Sequence, residues 1–182
     1  MGLDMYLEKR TYVKNWDWMK SEDRHQISVQ RGGHPTEIKP ERISHIIEQV
    51  AYWRKANAIH QWFVDNVQRG NDDCKEYYVQ AEQLQDLLSL CTQVLNASEL
   101  VDGEIANGYT VEDGKKIPIV ESGKTVKNPS TAQQLLPTQE GFFFGSTDYD
   151  QWYIDDIKYT KDTLEKVLAE EPCGDYYYSS SW

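Results

Sequence analysis

Apolar residues in the middle of the chain recur at intervals of three and four. Residues spaced in this way share one face of a helix, so the pattern predicts a long helix over residues 40–69, either continuous or broken once. Pro40 suits the first turn of that helix, and Gly70 suits its end. The residues on the shared face are Ile43, Ile46, Val50, Trp53, Asn57, His60, Val64 and Val67.

The same periodicity predicts two further helices, over residues 80–96 and 148–170. The apolar stripe of the first consists of Leu84, Leu87, Leu88, Cys91, Val94 and Leu95. The stripe of the second consists of Tyr153, Ile157, Thr160, Leu164 and Leu168. Both helices should therefore present one face to a common core.

Alternation and turn residues predict β-structure elsewhere. One or two short strands are expected near the N-terminus, and Asp113-Gly114 between two β-rich runs predicts a hairpin insertion at about residues 99–136. Residues 142–144, three phenylalanines, are typical of a short buried strand or a hydrophobic plug. Residues 172–182 show no period and are expected to form an extended, partly mobile tail. The predicted fold is a single α+β domain over residues 1–182, with three main helices packed on a small antiparallel sheet.

Charge is distributed unevenly. The chain carries 19 Lys and Arg against 30 Asp and Glu, a net charge of -11. Residues 1–60 have a net charge of +2, and residues 61–182 have -13. The balance argues against binding to duplex DNA or an anionic membrane, since both attract a cationic surface. An acidic surface either keeps the protein dispersed or competes for a basic groove, as phosphate would.

The chain shows no sign of export or of a disulfide framework. Its first residues lack the basic and apolar segments of a signal peptide, and no run approaches 18 apolar residues. The three cysteines are odd in number and widely spaced. We therefore expect a cytoplasmic protein.

A candidate ligand site lies in the predicted central helix. Asn57 and His60 are three residues apart on its apolar face, with Arg54 and Lys55 nearby for an anion. The alternative is that Asn57 and His60 are a buried, hydrogen-bonded polar pair that fixes the register of the helix.

Signals for catalysis, metals and cofactors are weak. The four histidines include no i, i+4 pair, there is no HExxH motif, and phosphate-binding glycine loops are absent. We predict no catalytic residue, metal ligand or cofactor. The paired carboxylates Asp72-Asp73 and Asp155-Asp156 keep a metal-dependent hydrolase or nuclease open as an alternative.

An acidic and aromatic stripe follows the last predicted helix at four-three spacing. Its members are Asp148, Trp152, Asp155, Tyr159 and Asp162. Asp155 and Asp162 should lie about 10 Å apart along the axis at ~1.5 Å per residue. Carboxylates pair with arginine and rings supply apolar anchors, so this stripe is the predicted partner-binding surface. The alternative is an ordinary solvated helix face.

Four segments carry a resemblance to a known group of proteins. They are residues 1–7 (MGLDMYL), 50–64 (VAYWRKANAIHQWFV), 72–79 (DDCKEYYV) and 136–150 (LPTQEGFFFGSTDYD). With these segments the chain resembles a family of small proteins of phages and mobile elements, and more distantly a type II anti-CRISPR protein. The resemblance implies an inhibitor that acts in the host cell on an RNA-guided nuclease or its guide RNA complex.

Three functions follow as hypotheses. The first is an acidic inhibitor that binds the type II CRISPR nuclease and blocks nucleic-acid engagement, because such nucleases hold RNA and DNA in positive channels. The second is a small-molecule binder for a nucleotide signal, using Arg54, Lys55, Asn57 and His60. The third is the metal-dependent hydrolase or nuclease.

Overall fold

The computed structural model of the protein describes residues 2–112, 115–141, 144–170 and 174–182. The predicted turn at Asp113-Gly114, the first two of the three phenylalanines and residues 172 and 173 of the predicted tail lie outside these ranges. The strands are β1 (Asp4–Tyr12), β2 (Gln30–Arg31), β3 (His34–Pro35), β4 (His45–Arg54), β5 (Tyr77–Val79), β6 (Leu100–Glu112), β7 (Lys115–Val126) and β8 (Asp175–Ser181). The α-helices are α1 (Asn57–Asn66), α2 (Ala81–Ala97), α3 (Ser130–Leu135) and α4 (Gln151–Ala169).

A four-stranded antiparallel sheet organises the fold, with the strand order β4-β1-β8-β5. Alternate residues of β1 and β8 are buried, as expected when one face of a sheet packs on a core. Residues of α1, α2 and α4 share one hydrophobic cluster with the buried face of this sheet. The fold is therefore α+β, as the sequence predicts.

The contact between α1 and the sheet lies at the centre of the core. The ring of Phe63 in α1 stacks on Tyr178 in β8 with centroids 3.9 Å apart and planes 6° from parallel. Neither side chain is exposed. Large rings bury much apolar area, so this stack fixes the helix over the middle of the sheet.

Two of the three predicted helices are confirmed by α2 and α4. In α2 the predicted stripe faces the core, and Leu84, Leu87, Cys91 and Val94 are buried. In α4 the predicted stripe is also inward, with Tyr153, Ile157, Thr160 and Leu164 buried. The helix α4 begins after Asp150, whose carboxylate caps it by accepting from the N–H groups of Trp152 and Tyr153.

The predicted helix over residues 40–69 is wrong in its first half. Residues 40–42 form a single 3-10 turn, residues 45–54 form β4, paired with β1, and the α-helix covers only residues 57–66. Ile46, Ile47, Val50 and the aromatic pair Tyr52-Trp53 fit a pleated strand better than a helix. The three-four interval across this stretch was therefore coincidental, and pairing with β1 decided the outcome.

The extended, partly mobile tail predicted over residues 172–182 is extended, but its described part lies within the sheet. Residues 175–181 form β8, which lies between β1 and β5 in the sheet. Tyr176, Tyr178 and Ser180 are buried on one face, so the segment does alternate. The tyrosine-serine composition concealed that alternation, because serine is seldom counted as a core residue.

The predicted hairpin is confirmed as β6 and β7, and α3 occupies part of the remainder of residues 99–136. Its base is attached to the start of α4: the N–H of Val126 donates to the carbonyl of Tyr149 at 2.9 Å. The N–H of Lys124 donates to Gln151 Oε1 at 3.1 Å. The hairpin therefore rises directly beside the first turn of α4. Over the described ranges, no helix has the length and apolar composition needed to cross a bilayer.

Candidate functional site

A cleft of about 870 Å³ opens where four parts of the chain meet. They are the junction between β4 and α1, the loop that precedes α4, the first two turns of α4, and the middle of the β6–β7 hairpin. Binding sites for small molecules commonly have about 300–1,000 Å³. The lining of the cleft comes mainly from residues 54–59 and from residues 138–157.

One wall of the cleft is basic. A Cβ at Gly2 would lie 3.5 Å from Lys55 Cε and 3.8 Å from Arg54 Nε, so the two cationic side chains converge over this glycine. Lys55 has a φ of 62°, a left-handed conformation that side chains other than glycine and asparagine adopt at a cost. Such strain persists where the surroundings enforce it, often at a binding site. Here the constraint turns the chain from β4 into α1.

The start of α1 contributes to the same wall. Among the described residues no side chain caps this helix, and Ala58 and Ile59 of its first turn line the cleft. Uncapped N–H groups at a helix start, together with the helix dipole, attract anions. The two cationic side chains and this helix start therefore form one electropositive surface.

Asn57 holds the opposite loop in place. Its amide nitrogen donates to the carbonyls of Phe144 and Ser146 at 3.0 and 2.7 Å, and its oxygen accepts from the N–H of Gln139 at 3.0 Å. The side chain is buried and fully used by these bonds. Asn57 therefore positions the wall of the cleft, and its own amide is not free for a ligand.

Gly145 allows the same loop to approach the basic wall. Its φ is 91°, and a Cβ there would meet Lys55 Cβ at 3.1 Å. Both the backbone conformation and the close contact favour glycine at this position. The loop and the strained residue Lys55 are thus packed directly against each other.

The other wall is acidic and belongs to α4 and the residues before it. Asp148, Asp150, Asp155 and Asp156 all line the cleft. Asp150 is 2 % exposed, and its Oδ2 has no hydrogen-bond partner among the described atoms, because only Oδ1 caps the helix. Burial raises the pKa of Asp150. The capping N–H groups of Tyr153 and Trp152 act in the opposite direction, and the charge of Asp148 raises the pKa further. A buried acceptor without a partner is costly, so it is suited to a donor supplied by a ligand or a water molecule.

Asp156 is the second unusual carboxyl group of this wall. Burial, followed by the charges of Asp155 and Asp150, raises the pKa of Asp156 to about 7. Near neutral pH the group therefore exists both with and without its proton. It can donate or accept a hydrogen bond as a ligand requires.

The predicted partner-binding stripe is exposed along α4 and partly coincides with the cleft. Trp152 is 52 % exposed, and it lines the cleft together with Asp148 and Asp155. Tyr159 lies further along the helix, where its hydroxyl oxygen accepts from the N–H of Tyr52 at 3.3 Å. Asp162 lies beyond it, with its side chain 49 % exposed and 4.0 Å from Lys161. The stripe thus has one end inside the cleft and the other on open surface.

His60, the remaining predicted ligand residue, does not reach the cleft. It is completely buried, with Nδ1 2.7 Å from the hydroxyl of Tyr178 and Nε2 3.1 Å from Asp72 Oδ2. A carboxylate only accepts, so Nε2 carries a hydrogen toward Asp72, and Nδ1 faces the Tyr178 hydroxyl. Burial, followed by the charge of Asp72, raises the pKa of Tyr178 well above its ordinary range. The hydrogen bonds from Tyr178 through His60 to Asp72 join α1, β8 and the loop after α1, and their role is structural.

Asn57 and His60 are therefore both buried and hydrogen-bonded, but not to each other. The alternative interpretation of a satisfied polar pair is close to the observed arrangement, except that each residue anchors a different part of the chain. Of the four predicted ligand residues, Arg54 and Lys55 line the cleft with their charged side chains. The Nε of Arg54 lies 4.0 Å from Asp4 Oδ1, so this carboxylate offsets part of its charge.

Comparison of the chain with protein-family models, with curated proteins and with solved structures finds no match. The resemblance to phage proteins and to an anti-CRISPR inhibitor accordingly stays a prediction. The interpretation of the cleft depends on its own geometry.

The described residues assemble no metal centre, and His60 activates no nucleophile. Within those ranges no three His, Cys, Asp or Glu side chains are grouped so as to hold a metal ion. Both nitrogens of His60 are occupied by Tyr178 and Asp72, so no described serine or cysteine is activated by this ring. The Nδ1 of His45 lies 3.1 Å from Oγ of the adjacent Ser44, at an exposed position away from the cleft. Cys91 is buried, and burial raises the pKa of its thiol to about 12, which keeps it protonated.

Sequence reasoning missed three contributors to the cleft: Asp150, Asp156 and the middle of the hairpin. The signal for Asp150 was present, since aspartate before an amphipathic helix is a common cap. Asp156 was named only as half of the Asp155-Asp156 pair for a metal site and not as part of a ligand cleft, whereas its neighbour Asp155 is the exposed member of the pair. Nothing local in the sequence indicated that Pro118 of the hairpin lies beside α4.

Proposed function

We propose that this protein binds a small anionic molecule of the nucleotide class in its cleft. The observation that carries the proposal is the meeting of two unlike walls in one cavity. Arg54, Lys55 and the start of α1 offer positive charge, while Asp150, Asp156 and Trp152 offer acceptors and a ring. A ligand with a phosphate at one end and a hydrogen-bonding aromatic group at the other matches both walls.

The phosphate end is the better defined. Arginine binds phosphate through two parallel N–H groups, and lysine adds a point charge. Helix N-termini bind phosphate through backbone N–H groups. All three devices lie on the same wall, although the chain as a whole is strongly negative. This local reversal of charge favours an anion that would otherwise be repelled.

The aromatic end follows from the acidic wall. Trp152 offers an exposed ring on which a base can stack. The unpartnered oxygen of Asp150 and the carboxyl group of Asp156 accept N–H groups, and guanine presents two such donors side by side. A guanine nucleotide therefore fits better than one whose base has fewer donors. Binding without turnover would lower the free concentration of a signalling nucleotide in the cell.

Calorimetry with the purified full chain tests this proposal. The probes are cyclic diguanylate, cyclic diadenylate and ADP-ribose. We expect binding of at least one of them, with the guanine nucleotide strongest. Lys55→Asn removes the charge but tolerates the left-handed backbone, and it should weaken binding by about 10- to 100-fold, the range of a lost charged hydrogen bond.

Lys158→Asn is the matched control, because Lys158 is exposed on α4 and does not line the cleft. This variant should bind like the native chain. The proposal would be contradicted if none of the three probes bound with a dissociation constant below 1 mM (about −4 kcal/mol). An equal loss of affinity in Lys158→Asn and Lys55→Asn would also contradict it.

The second candidate is the acidic inhibitor of an RNA-guided nuclease, acting in the cytoplasm of the host cell. The exposed stripe on α4 favours it, particularly the open end with Tyr159 and Asp162. Carboxylates on this face would occupy the basic channel in which the nuclease holds nucleic acid. Association should be fast at low salt and weaken as ionic strength rises.

Asp162 separates the two candidates, because it is on the stripe but outside the main cleft. Asp162→Lys should weaken co-elution with a type II nuclease, loaded or not with guide RNA, and leave nucleotide binding unchanged. Asp86→Lys on the exposed side of α2 makes the same charge change elsewhere and should alter neither. No co-elution of the native chain at 50 mM salt would rule out the inhibitor.

A further inference from the structure

A long exposed segment lies apart from the cleft. Residues 14–44, called the arm below, connect β1 to β4, and no residue from 14 to 49 is buried. Trp18 is 80 % exposed and Ile47 is 56 % exposed. The apolar residues of this region are Trp16, Trp18, Met19, Ile27, Val29, Ile38, Ile43, Ile46 and Ile47.

The arm nevertheless has a defined conformation. Asn15 and His25 exchange two hydrogen bonds, of 2.8 and 2.9 Å. The Arg24 guanidinium donates to the carbonyl oxygens of Met19 and Asp17, each at 3.0 Å. Exposed bonds of this kind contribute about 1 kcal/mol or less each, whereas ordering a residue costs about 1–2 kcal/mol. Burial of the apolar side chains against another surface would supply the missing stabilisation.

The adjoining strand offers such a surface. β4 is at one edge of the sheet, and no other described strand pairs with its outer side. Ile46 and Ile47 are neighbours in this strand and point to opposite faces, yet both are exposed. Unpaired sheet edges are usually protected by lysine or proline. Residues 45–49 contain neither, and their only ionisable side chains are His45 and Glu48.

Charge indicates which partner can approach this surface. The arm contains six Lys and Arg against five Asp and Glu, while the rest of the chain contains 13 against 25. Two copies of so acidic a body repel each other, except where the nearly neutral arms meet. Antiparallel pairing of one β4 edge with the same edge of another copy obeys two-fold symmetry, so one surface serves both partners.

We infer that β4 and the arm form an interface with a second copy of this chain, in which two β4 edges pair and the arms cover Ile46 and Ile47. Such a dimer joins two four-stranded sheets into one. It does not depend on the nucleotide cleft, which lies at the other end of β4. Its failure would therefore leave the proposed function untouched.

Light scattering after gel filtration tests the inference with the full chain. At about 50 μM the native protein should have twice the chain mass of 21.2 kDa. Ile47→Glu places a negative charge on each of the two paired edges, and it should raise the dissociation constant at least tenfold. Because Ile47 is exposed within one chain, the circular dichroism spectrum of the variant should be unchanged.

Ile119→Glu is the matched control. Ile119 is 47 % exposed on the β6–β7 hairpin, so the same substitution there should leave the mass doubled. A native chain of monomeric mass at 200 μM would overturn the inference and leave the edge open to a different protein. Equal dissociation by both variants would overturn it as well.

Hydrogen exchange gives a second measurement that needs no variant. No described residue pairs with the outward N–H groups of residues 45–49 within a single chain, and pairing between copies would protect them. We expect protection at 50 μM that disappears on dilution below the dissociation constant. Rapid exchange of these groups at both concentrations would contradict strand pairing.

Discussion

The cleft and the arm differ in the burial of their polar and apolar side chains. Around the cleft, buried side chains such as Asn57 and Asp150 fix loops and helix ends, and the ligand-facing groups stand on that rigid frame. In the arm, large apolar side chains stand in solvent with only local bonds behind them. The contrast shows that burial follows the contacts a side chain can make. Polar groups are buried where they have hydrogen-bond partners, and apolar groups stay exposed where the chain offers them no surface to pack on.

The largest expected difference lies between a core ring and an arm ring. Phe63→Ala removes the ring stacked on Tyr178 and should lower the free energy of unfolding by about 3–5 kcal/mol. Trp18→Ala should change it by less than about 0.5 kcal/mol in the monomer, since that side chain is mostly exposed. Urea unfolding followed by circular dichroism at 1 μM checks both. A similar loss in the two variants would mean that the arm packs on the core.

The next largest effect concerns the frame of the cleft. Asn57→Ala removes the partner of one buried carbonyl, that of Phe144, and of the part-buried Ser146 carbonyl and Gln139 N–H, so it should destabilise by about 2 kcal/mol. It should also weaken ligand binding, because the loop that Asn57 holds forms one wall.

Asn66→Ala is the comparison on the same helix, where a single bond to the carbonyl of Trp62 is lost at an exposed position. Its effect should be below about 1 kcal/mol. An Asn57→Ala variant as stable as Asn66→Ala would show that the loop does not depend on this clamp.

A smaller effect should depend on pH. The pKa of Asp156 is about 7 in the folded chain and near 4 when unfolded, so the folded chain binds the proton more tightly. This contribution to stability is complete below pH 4 and is lost as pH rises to about 7. Asp156→Asn should therefore stabilise by about 1–2 kcal/mol at pH 8 and change little at pH 4. Thermal unfolding at the two pH values measures the difference.

Asp155→Asn provides the control for that experiment, because Asp155 is exposed on the same turn. It should show a much weaker dependence on pH. A gain in Asp156→Asn that was larger at pH 4 than at pH 8 would reverse the assigned direction of the pKa shift.

The smallest effect separates strain from binding. Lys55→Gly relieves the left-handed backbone and should stabilise by about 0.5–1 kcal/mol, while nucleotide affinity falls. Arg69 has a φ of 56°, so Arg69→Gly should stabilise the chain by a similar amount and leave the nucleotide affinity unchanged. Unfolding and calorimetry on the same samples distinguish the two. Unaltered affinity in Lys55→Gly would remove Lys55 from the site.

Periodicity predicted the elements whose stability is mainly local. The helices α2 and α4 each have a continuous apolar face, and the hairpin has two β-rich runs around a turn pair. It failed where pairing with distant residues decides the structure. Residues 45–54 satisfy a helical interval but pair with β1, and residues 175–181 pair with strands from much earlier in the chain.

The site was predictable where its residues form a local pattern in the sequence. Arg54 and Lys55 were identified because cations beside polar residues suggest an anion site, and the α4 stripe follows from helix geometry. That these two predictions describe opposite walls of one cleft depends on how the hairpin and the loop before α4 fold back. Such long-range placement leaves no pattern in a single sequence.

The position of β8 has a consequence for how the protein is made. A ribosome synthesises β1 and β5 long before β8, which must then enter the gap between them. Until that moment Phe63 has no ring to stack on, and the buried face of β1 has no neighbour on one side. Until β8 has been made, the nascent chain therefore exposes apolar surface, and it depends on that strand, or on a chaperone before it, to escape aggregation.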